Sequence, residues 1–251
     1  MTVDVYPSTW SEAAAHAGAA GAVVIAGGTG VQPWLSVRTD PPPTALIHLA
    51  RVPEARQWDC ADGTVTLGAL VTVDNPAAAI CFGSEGAGWF ATPAVRRRAT
   101  VVGNVVSALG PRELGAPLLA LDAHLHGRTD TSAPWTRSIA EILRDGMPTG
   151  HLATAITANV PERIVYHRMS SRRRLSRIEL GVCGAQGRVS GASVVVGATV
   201  LPVDAEVAHV DEFVAAVQTQ ATTLICDPRR LATVTELAAR VHRDLHTRTE
   251  T

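Results

Sequence analysis

The N-terminal part of the chain alternates short apolar runs with turn-forming residues, a pattern that predicts small helices and strands. Residues 8–20 are rich in alanine and predict a helix with Glu12 in its first turn. Residues 23–25 include β-branched side chains and predict a strand that leads into the glycine-rich segment 26–30. A helix is then predicted over residues 31–37. The predicted order is strand, glycine turn, helix.

The middle of the chain continues this mixture of strands and helices. Apolar spacing predicts strands at residues 45–49 and 65–69, helices at 74–82 and 83–91, and a mixed sheet with short helices over 118–126, 138–143 and 153–159. Residues 99–106 form a short apolar stretch that Gly103 and Asn104 interrupt.

The composition of the chain shifts near residue 172. There a basic run, Arg172 to Arg174 with Arg177, precedes two β-rich segments, 178–185 and 189–200, which a turn at Gln186 and Gly187 would join. Two later segments, 211–217 and 228–245, carry apolar residues at helical spacing. We therefore predict a domain boundary near residue 172.

Composition and charge narrow the class of function. The 251 residues are 46% hydrophobic and have a formal net charge of −1, with scattered basic residues, so no nucleic-acid partner is expected. All 22 basic residues are arginine, which excludes Schiff-base chemistry and a P-loop lysine. Glycine or proline breaks each apolar run, and no secretory signal is visible. We expect a soluble cytoplasmic protein that does not bind membranes.

Candidate metal ligands are poorly arranged in the sequence. The four cysteines are far apart and form no Cys-x-x-Cys pair, so buried free thiols are expected. His124 and His126 are two residues apart and have no cysteine or clustered carboxylate beside them. No metal site is predicted.

The glycine turn at residues 26–30 has the composition of a phosphate-binding loop. Between a strand and a helix it would present several backbone N–H groups without side chains in the way. It does not match Gly-x-Gly-x-x-Gly, and no acidic residue is placed to bind a ribose, which disfavours a Rossmann site. A plain tight turn is the alternative.

The segment 95–106 is a second candidate. Gly103 permits a close approach of the backbone, while Thr100 and Asn104 offer a hydroxyl and an amide for hydrogen bonds to a diphosphate or sugar. The alternative is a strand that ends in a Gly-Asn turn.

Five sequence blocks in a fixed order carry a resemblance to a known family. They are Val-Ile-Ala-Gly-Gly-Thr-Gly (24–30), Leu-Ile-His-Leu-Ala-Arg-Val-Pro-Glu (46–54), Val-Thr-Leu-Gly-Ala-Leu-Val-Thr (65–72), Val-Arg-Arg-Arg-Ala-Thr-Val-Val-Gly-Asn (95–104) and Ala-Pro-Leu-Leu-Ala-Leu-Asp-Ala (116–123). Together they resemble the FAD-binding medium subunit of the molybdenum hydroxylase family, of the carbon monoxide dehydrogenase and xanthine dehydrogenase type. The resemblance covers residues 1–185 well and the remainder in outline.

The resemblance implies an α+β fold of the type found in this family. Two α/β subdomains, about 1–56 and 57–172, would clamp FAD between them and form the FAD-binding domain 1–172. A C-terminal domain, 173–251, would be a small antiparallel sheet with helices, shortened relative to the family.

The resemblance also implies which residues contact the flavin nucleotide. Those around 26–31 would wrap the pyrophosphate, and Thr100, Gly103 and Asn104 would hold the diphosphate and ribityl portion. The full set of implied contacts is Ile25, Ala26, Gly27, Gly28, Thr29, Gly30, Val31, Phe90, Thr100, Val102, Gly103, Asn104, Glu113 and Arg168. No catalytic residue is assigned.

Three of these positions are implied by the side chains that relatives carry. Phe90 matches an aromatic contact, Glu113 falls where the family usually has an aspartate near the flavin, and Arg168 sits where relatives place a lysine or another basic residue. Other stacking candidates are Trp34 and Tyr166.

The sequence departs from the family pattern in the flavin motifs. Gly30 replaces an Asp or Ser, Val102 replaces the first glycine of Thr-x-Gly-Gly-Asn, and residues 109–113 replace a Ser-Pro-x-x-Asp segment. The β-carbon of Val102 would crowd a diphosphate if that position required a positive φ. Weakened FAD binding is therefore one expectation.

The resemblance implies an electron-transfer function. FAD would pass electrons between an iron–sulfur subunit and NAD or another acceptor, while a molybdopterin subunit oxidises the substrate, so an oligomer is expected. The arginine run 96–98 is either a solvated face or a docking surface for such partners. The alternatives are a stand-alone flavoenzyme acting on a small molecule and a scaffold that has lost FAD.

Overall fold

The structure is a computed structural model of the chain. It describes residues 2–37, 41–82, 88–107, 112–169, 178–185, 188–196, 199–203, 210–223, 225 and 228–247. Within these ranges no helix is long and apolar enough to cross a membrane.

The first α/β subdomain contains a small parallel sheet. Its elements are β1 (Val3–Val5), α1 (Trp10–Ala17), β2 (Ala22–Ile25), α2 (Val31–Ser36) and β3 (Ala45–His48). The strands are ordered β1-β3-β2, and β3 pairs in parallel with both neighbours. The carboxyl end of β2 therefore leads directly into the glycine segment that precedes α2.

The second α/β subdomain is built on a five-stranded antiparallel sheet. Its elements are β4 (Trp58–Ala61), β5 (Thr64–Gly68), α3 (Pro76–Phe82), α4 (Pro93–Arg96), α5 (Val101–Val106), α6 (Gly115–Ala120), β6 (His124–Thr129), β7 (Pro134–Ser138), α7 (Ile139–Asp145) and β8 (His151–Asn159). The strand order is β4-β5-β8-β6-β7. Short helices pack on this sheet, and α5 contacts β5, β8 and α7.

One apolar core joins these two subdomains. Ala13 and Ala14 of α1 are fully buried and belong to the same cluster as Leu67, Leu125 and Ile156 of the five-stranded sheet. Burying a large aliphatic side chain contributes about 1.5–3 kcal/mol. The burial of α1 against this sheet fixes the position of the loop that follows β2.

A third unit follows in the sequence. It contains β9 (Arg163–Met169), β10 (Ile178–Ala185), β11 (Arg188–Val196), β12 (Thr199–Val203), α8 (Val210–Thr222) and α9 (Pro228–Thr247). The strands form an antiparallel sheet in the order β12-β11-β10-β9, and the two helices share a small core around Phe213 and Val241. Because β9 lies before residue 172 and pairs with β10 after it, this sheet includes residues on both sides of the predicted boundary. The division of the chain at residue 172 stays a prediction.

The observed fold confirms the expected α+β class, with several corrections in detail. Strands β1 and β4 were not predicted. Residues 88–90 form a turn and a bend instead of the end of a predicted helix, and residues 83–87, 172–177 and 186–187 lie outside the described part of the chain. The largest difference is that residues 101–106 form helix α5.

Candidate functional site

The two glycine-containing segments predicted from the sequence lie against each other. A β-carbon built on Gly27 would fall 1.7 Å from the carbonyl oxygen of Arg98 and 2.7 Å from its carbonyl carbon. No side chain can occupy that space, so the close packing of the two backbones requires glycine at position 27. The segment after β2 is thereby fixed against the residue that leads into α5.

The glycine segment continues along α5. Gly28 has φ +73°, a left-handed conformation that a β-branched residue rarely adopts. A β-carbon on Gly30 would lie 3.4 Å from the hydroxyl of Ser107, the residue that ends α5. The glycine segment therefore lies alongside α5, with Gly27 next to Arg98 ahead of the helix and Gly30 next to Ser107 at its end.

The glycine segment is open to a ligand. The N-cap of α2 is Gly30, which supplies no side-chain hydrogen bond, while Gln32 N donates to Gly28 O at 2.9 Å. Every residue of the predicted loop is half-buried or exposed: Ile25, Ala26, Gly27, Gly28, Thr29, Gly30 and Val31. Backbone N–H groups without competing side chains suit a diphosphate.

Thr100 starts α5. Its hydroxyl accepts a hydrogen bond from Gly103 N at 3.0 Å and the residue is 3% exposed. A β-carbon on Gly103 would lie 2.6 Å from that hydroxyl oxygen, so glycine leaves room for the cap. This cap explains why a stretch rich in valine forms a helix. Contact of Thr100 and Gly103 with a diphosphate stays a prediction.

Val102 corrects one expectation. It lies in the first turn of α5, has no positive φ, and is 2% exposed within the hydrophobic core. The condition for crowding, a positive φ at Val102, is therefore not met, and a contact of Val102 with FAD stays a prediction. Valine at this position stabilises the core beneath the helix.

Asn104 connects α5 to the next segment. Its side-chain oxygen accepts a hydrogen bond from the backbone N–H of Leu114 at 2.9 Å, and its own N–H donates to Thr100 O at 3.0 Å. The side chain thus fixes the chain next to Glu113, which is half-buried. The sequence marked Asn104 as a ligand contact, whereas the structure gives it a positioning role as well.

Arg112 strengthens the same connection and was not singled out from the sequence. Its Nε donates to Ser107 O at 3.1 Å, and its Nη1 donates to Ile142 O at 2.9 Å and Leu143 O at 3.0 Å. Burial lowers the pKa of this guanidinium. Three carbonyl acceptors replace the lost water, so the Arg112 side chain joins the ends of α5 and α7.

Phe90 and Tyr166 each pack against Trp89, and contact of an aromatic residue with the flavin stays a prediction. Phe90 is 4% exposed and packs edge-on against Trp89, with ring centroids 6.2 Å apart. Trp89 in turn stacks on Tyr166 at 4.1 Å. Trp34 lies on α2, half-buried. Trp89, which sequence reasoning did not select, therefore covers one face of Tyr166.

Within the arginine run, Arg96 has a different environment from Arg97 and Arg98. The guanidinium of Arg96 donates from Nη1 to the carbonyls of Gly88, Phe90 and Ala91 at 3.3, 2.8 and 2.9 Å. Arg96 therefore stabilises the loop before α4 and is no part of a solvated face. Arg97 and Arg98 are exposed. Three identical letters in the sequence give no signal of this division.

Arg168 lies on β9, opposite Glu179 of β10. Its side chain is outside the described part of the structure, so a contact with the flavin stays a prediction.

The site combines an open glycine loop with a second, capped segment held against it. A family model described as the FAD binding domain in molybdopterin dehydrogenase matches residues 4–156, more than half of the chain. The chain therefore belongs to this family, as the five sequence blocks indicated. Members of this family are FAD-containing oxidoreductase subunits, and FAD is the cofactor of this domain.

Several known proteins are similar to this chain. The alpha subunit of the 6-hydroxypseudooxynicotine dehydrogenase complex of Paenarthrobacter nicotinovorans is 34% identical over 110 residues, which cover 41% of this chain and 37% of that subunit. A chain of quinoline 2-oxidoreductase from Pseudomonas putida 86 superposes with a TM-score of 0.76 at 20% identity, covering 98% of this chain and 96% of its own. A chain of carbon monoxide dehydrogenase from Hydrogenophaga pseudoflava gives 0.72 at 18% identity, with 96% and 94% covered. At these identities the structural likeness shows the fold alone.

Proposed function

We propose that this chain is the FAD-binding subunit of a molybdenum hydroxylase-type complex and that its flavin passes electrons between an iron–sulfur partner and NAD or another acceptor. The observation that carries the proposal is the family match over residues 4–156. The likeness of fold over 98% of the chain, which includes the C-terminal unit, supports it. In this proposal a separate molybdopterin subunit oxidises the substrate.

The residues at the site fit FAD. The glycine segment leaves a cradle without side chains, and Gly27 and Gly28 each occupy a position that a β-carbon would block or strain. We assign the diphosphate to residues 25–31 and the adjoining start of α5. Bound FAD supplies the redox chemistry. The chain binds the nucleotide, orients it and keeps α5 in place through Asn104 and Arg112.

The experiment measures the flavin content of the purified chain and, separately, the rate at which each electron donor reduces the flavin. The purified chain is expected to carry FAD, with its flavin absorbance, and to exchange electrons anaerobically with NADH or with a reduced two-iron two-sulfur protein. Gly28→Val is the test variant. Its branched side chain would be strained at φ +73° and would occupy the space assigned to the diphosphate, so the variant should fold but lose FAD.

The partners provide the second half of the test. Co-expression with candidate iron–sulfur and molybdopterin subunits should yield a complex that oxidises an organic substrate, while the chain alone does not. Rapid anaerobic reduction of the flavin by an organic substrate without any partner would instead establish a stand-alone enzyme. A colourless chain that fails to bind added FAD would indicate a scaffold.

A further inference from the structure

Arg98 contacts the glycine segment with both its main chain and its side chain. Its carbonyl oxygen fills the space beside Gly27, and its Nη2 atom lies 3.7 Å from the position of a β-carbon on Gly28. Arg97, its neighbour in the sequence, has no atom within 4 Å of that position. Only one of the two exposed arginines therefore places its charge at the loop.

The guanidinium of Arg98 is not used elsewhere in the described structure. No carboxylate or hydrogen-bond acceptor contacts it within the ranges that the structure covers, whereas Arg96 and Arg112 each donate to three carbonyl oxygens. Because the chain has no lysine, a positive charge at this loop has to come from arginine or a protonated histidine. The planar guanidinium matches two phosphate oxygens at once, which an ammonium does not.

We propose that Arg98 binds the diphosphate of FAD at the glycine segment and neutralises part of its charge. The proposal rests on the assignment of residues 25–31 as the diphosphate site. Gly27 gives it geometric support, because the contact between Gly27 and the Arg98 carbonyl holds the backbone of Arg98 in one place. The side chain then needs only its own rotamers to reach an anion above Gly28.

The proposal predicts a specific pattern of affinities. Loss of a charge-assisted contact on an exposed side chain should raise the dissociation constant of FAD about tenfold. The difference in FAD affinity between the parent chain and the variant should shrink as salt is raised, because ions screen an exposed charge pair. ADP, which carries a diphosphate, should be affected like FAD, and riboflavin, which carries no phosphate, should not.

The experiment uses the full chain after removal of its flavin. FAD binding to Arg98→Met, Arg98→Lys and the control Arg97→Met is measured by flavin fluorescence at low and high salt, with ADP and riboflavin as competitors. We expect about tenfold weaker FAD and ADP binding for Arg98→Met, partial recovery in Arg98→Lys, and a change of less than about twofold for Arg97→Met. Thermal melting of each apo variant checks that the fold is kept.

The outcomes separate this proposal from the loop assignment. If Arg98→Met binds FAD as tightly as Arg97→Met while Gly28→Val loses it, the loop assignment stands and the role of Arg98 is refuted. If Gly28→Val retains FAD, the loop assignment itself fails. Weaker binding of riboflavin with unchanged binding of ADP in Arg98→Met would place the guanidinium at the flavin ring and would also refute the proposal.

Discussion

The carbonyl oxygen of Arg98 occupies the space in which a β-carbon of Gly27 would lie, 1.7 Å from the position of that carbon. Both groups belong to the backbone, so no side-chain rotation can relieve the overlap. The contact joins the loop after β2 to the segment before α5, which are the two halves of the proposed FAD site.

This contact predicts that Gly27→Ala separates the two segments. We expect a loss of about 1–3 kcal/mol in the free energy of unfolding, typical of overpacking, together with loss of FAD. Gly30→Ala is the matched control for stability, because its β-carbon would meet only Ser107 Oγ at 3.4 Å and its φ is −89°. Urea denaturation and the flavin content per chain measure both effects. Equal stability and flavin content in the two variants would contradict this account.

A second prediction concerns Val102. Replacement by glycine removes a buried side chain and weakens the helix, so Val102→Gly should lower the free energy of unfolding by about 2–4 kcal/mol. Val102→Ala should lose less, because alanine favours a helix. FAD affinity should not improve in either variant. Tighter FAD binding with unchanged urea stability in Val102→Gly would show that this valine does crowd the nucleotide.

A third prediction tests the hydrogen bond between Asn104 and Leu114. Asn104→Leu leaves the N–H of the fully buried Leu114 without its acceptor and should cost about 1–3 kcal/mol of stability. Asn104→Asp keeps an oxygen acceptor and should lose less. Its added charge should nevertheless weaken FAD, since it lies on the helix beside the diphosphate segment. The two urea curves and the FAD titrations read these effects independently, and equal stability losses in the two variants would count against the hydrogen bond.

A fourth prediction concerns pH and His126. Its ring lies between the hydroxyls of Thr136 and Thr157, at 2.9 and 2.8 Å, and burial followed by the nearby His124 lowers its pKa. The unfolded chain therefore binds this proton more readily than the folded chain. The stability that His126 contributes should be complete above its ordinary pKa of 6.5 and should decline as the pH falls below that value.

The parent chain is the reference for that prediction. His126→Gln should make the free energy of unfolding vary less between pH 7 and pH 5 than it does in the parent chain. Chemical denaturation at several pH values measures the slopes. If His126→Gln keeps the full slope, other groups cause the loss of stability in acid.

Local features of the sequence were enough to predict part of the site. The β-branched run before Gly-Gly-Thr-Gly predicts β2 and the turn that follows it, because the strand propensity and the conformational freedom of glycine act within a few residues. The hairpin of β10 and β11 was predicted for the same reason. By contrast, residues 101–106 were not recognised as a helix, because valine favours strands and only the Thr100 cap with its buried helix face decides the outcome.

The sequence by itself determined the family, the FAD-binding class and the position of the glycine loop, because these depend on short blocks of residues in a fixed order. Only the tertiary structure decided the roles of Arg96, Arg97 and Arg98. Their letters are identical, and what distinguishes them is whether each guanidinium meets loop carbonyls, open solvent or the glycine segment. The carbonyls that Arg96 meets are close to it in the sequence, whereas the glycine segment beside Arg98 comes from a distant part of the chain and is brought there by the burial of α1 and α5 in one core.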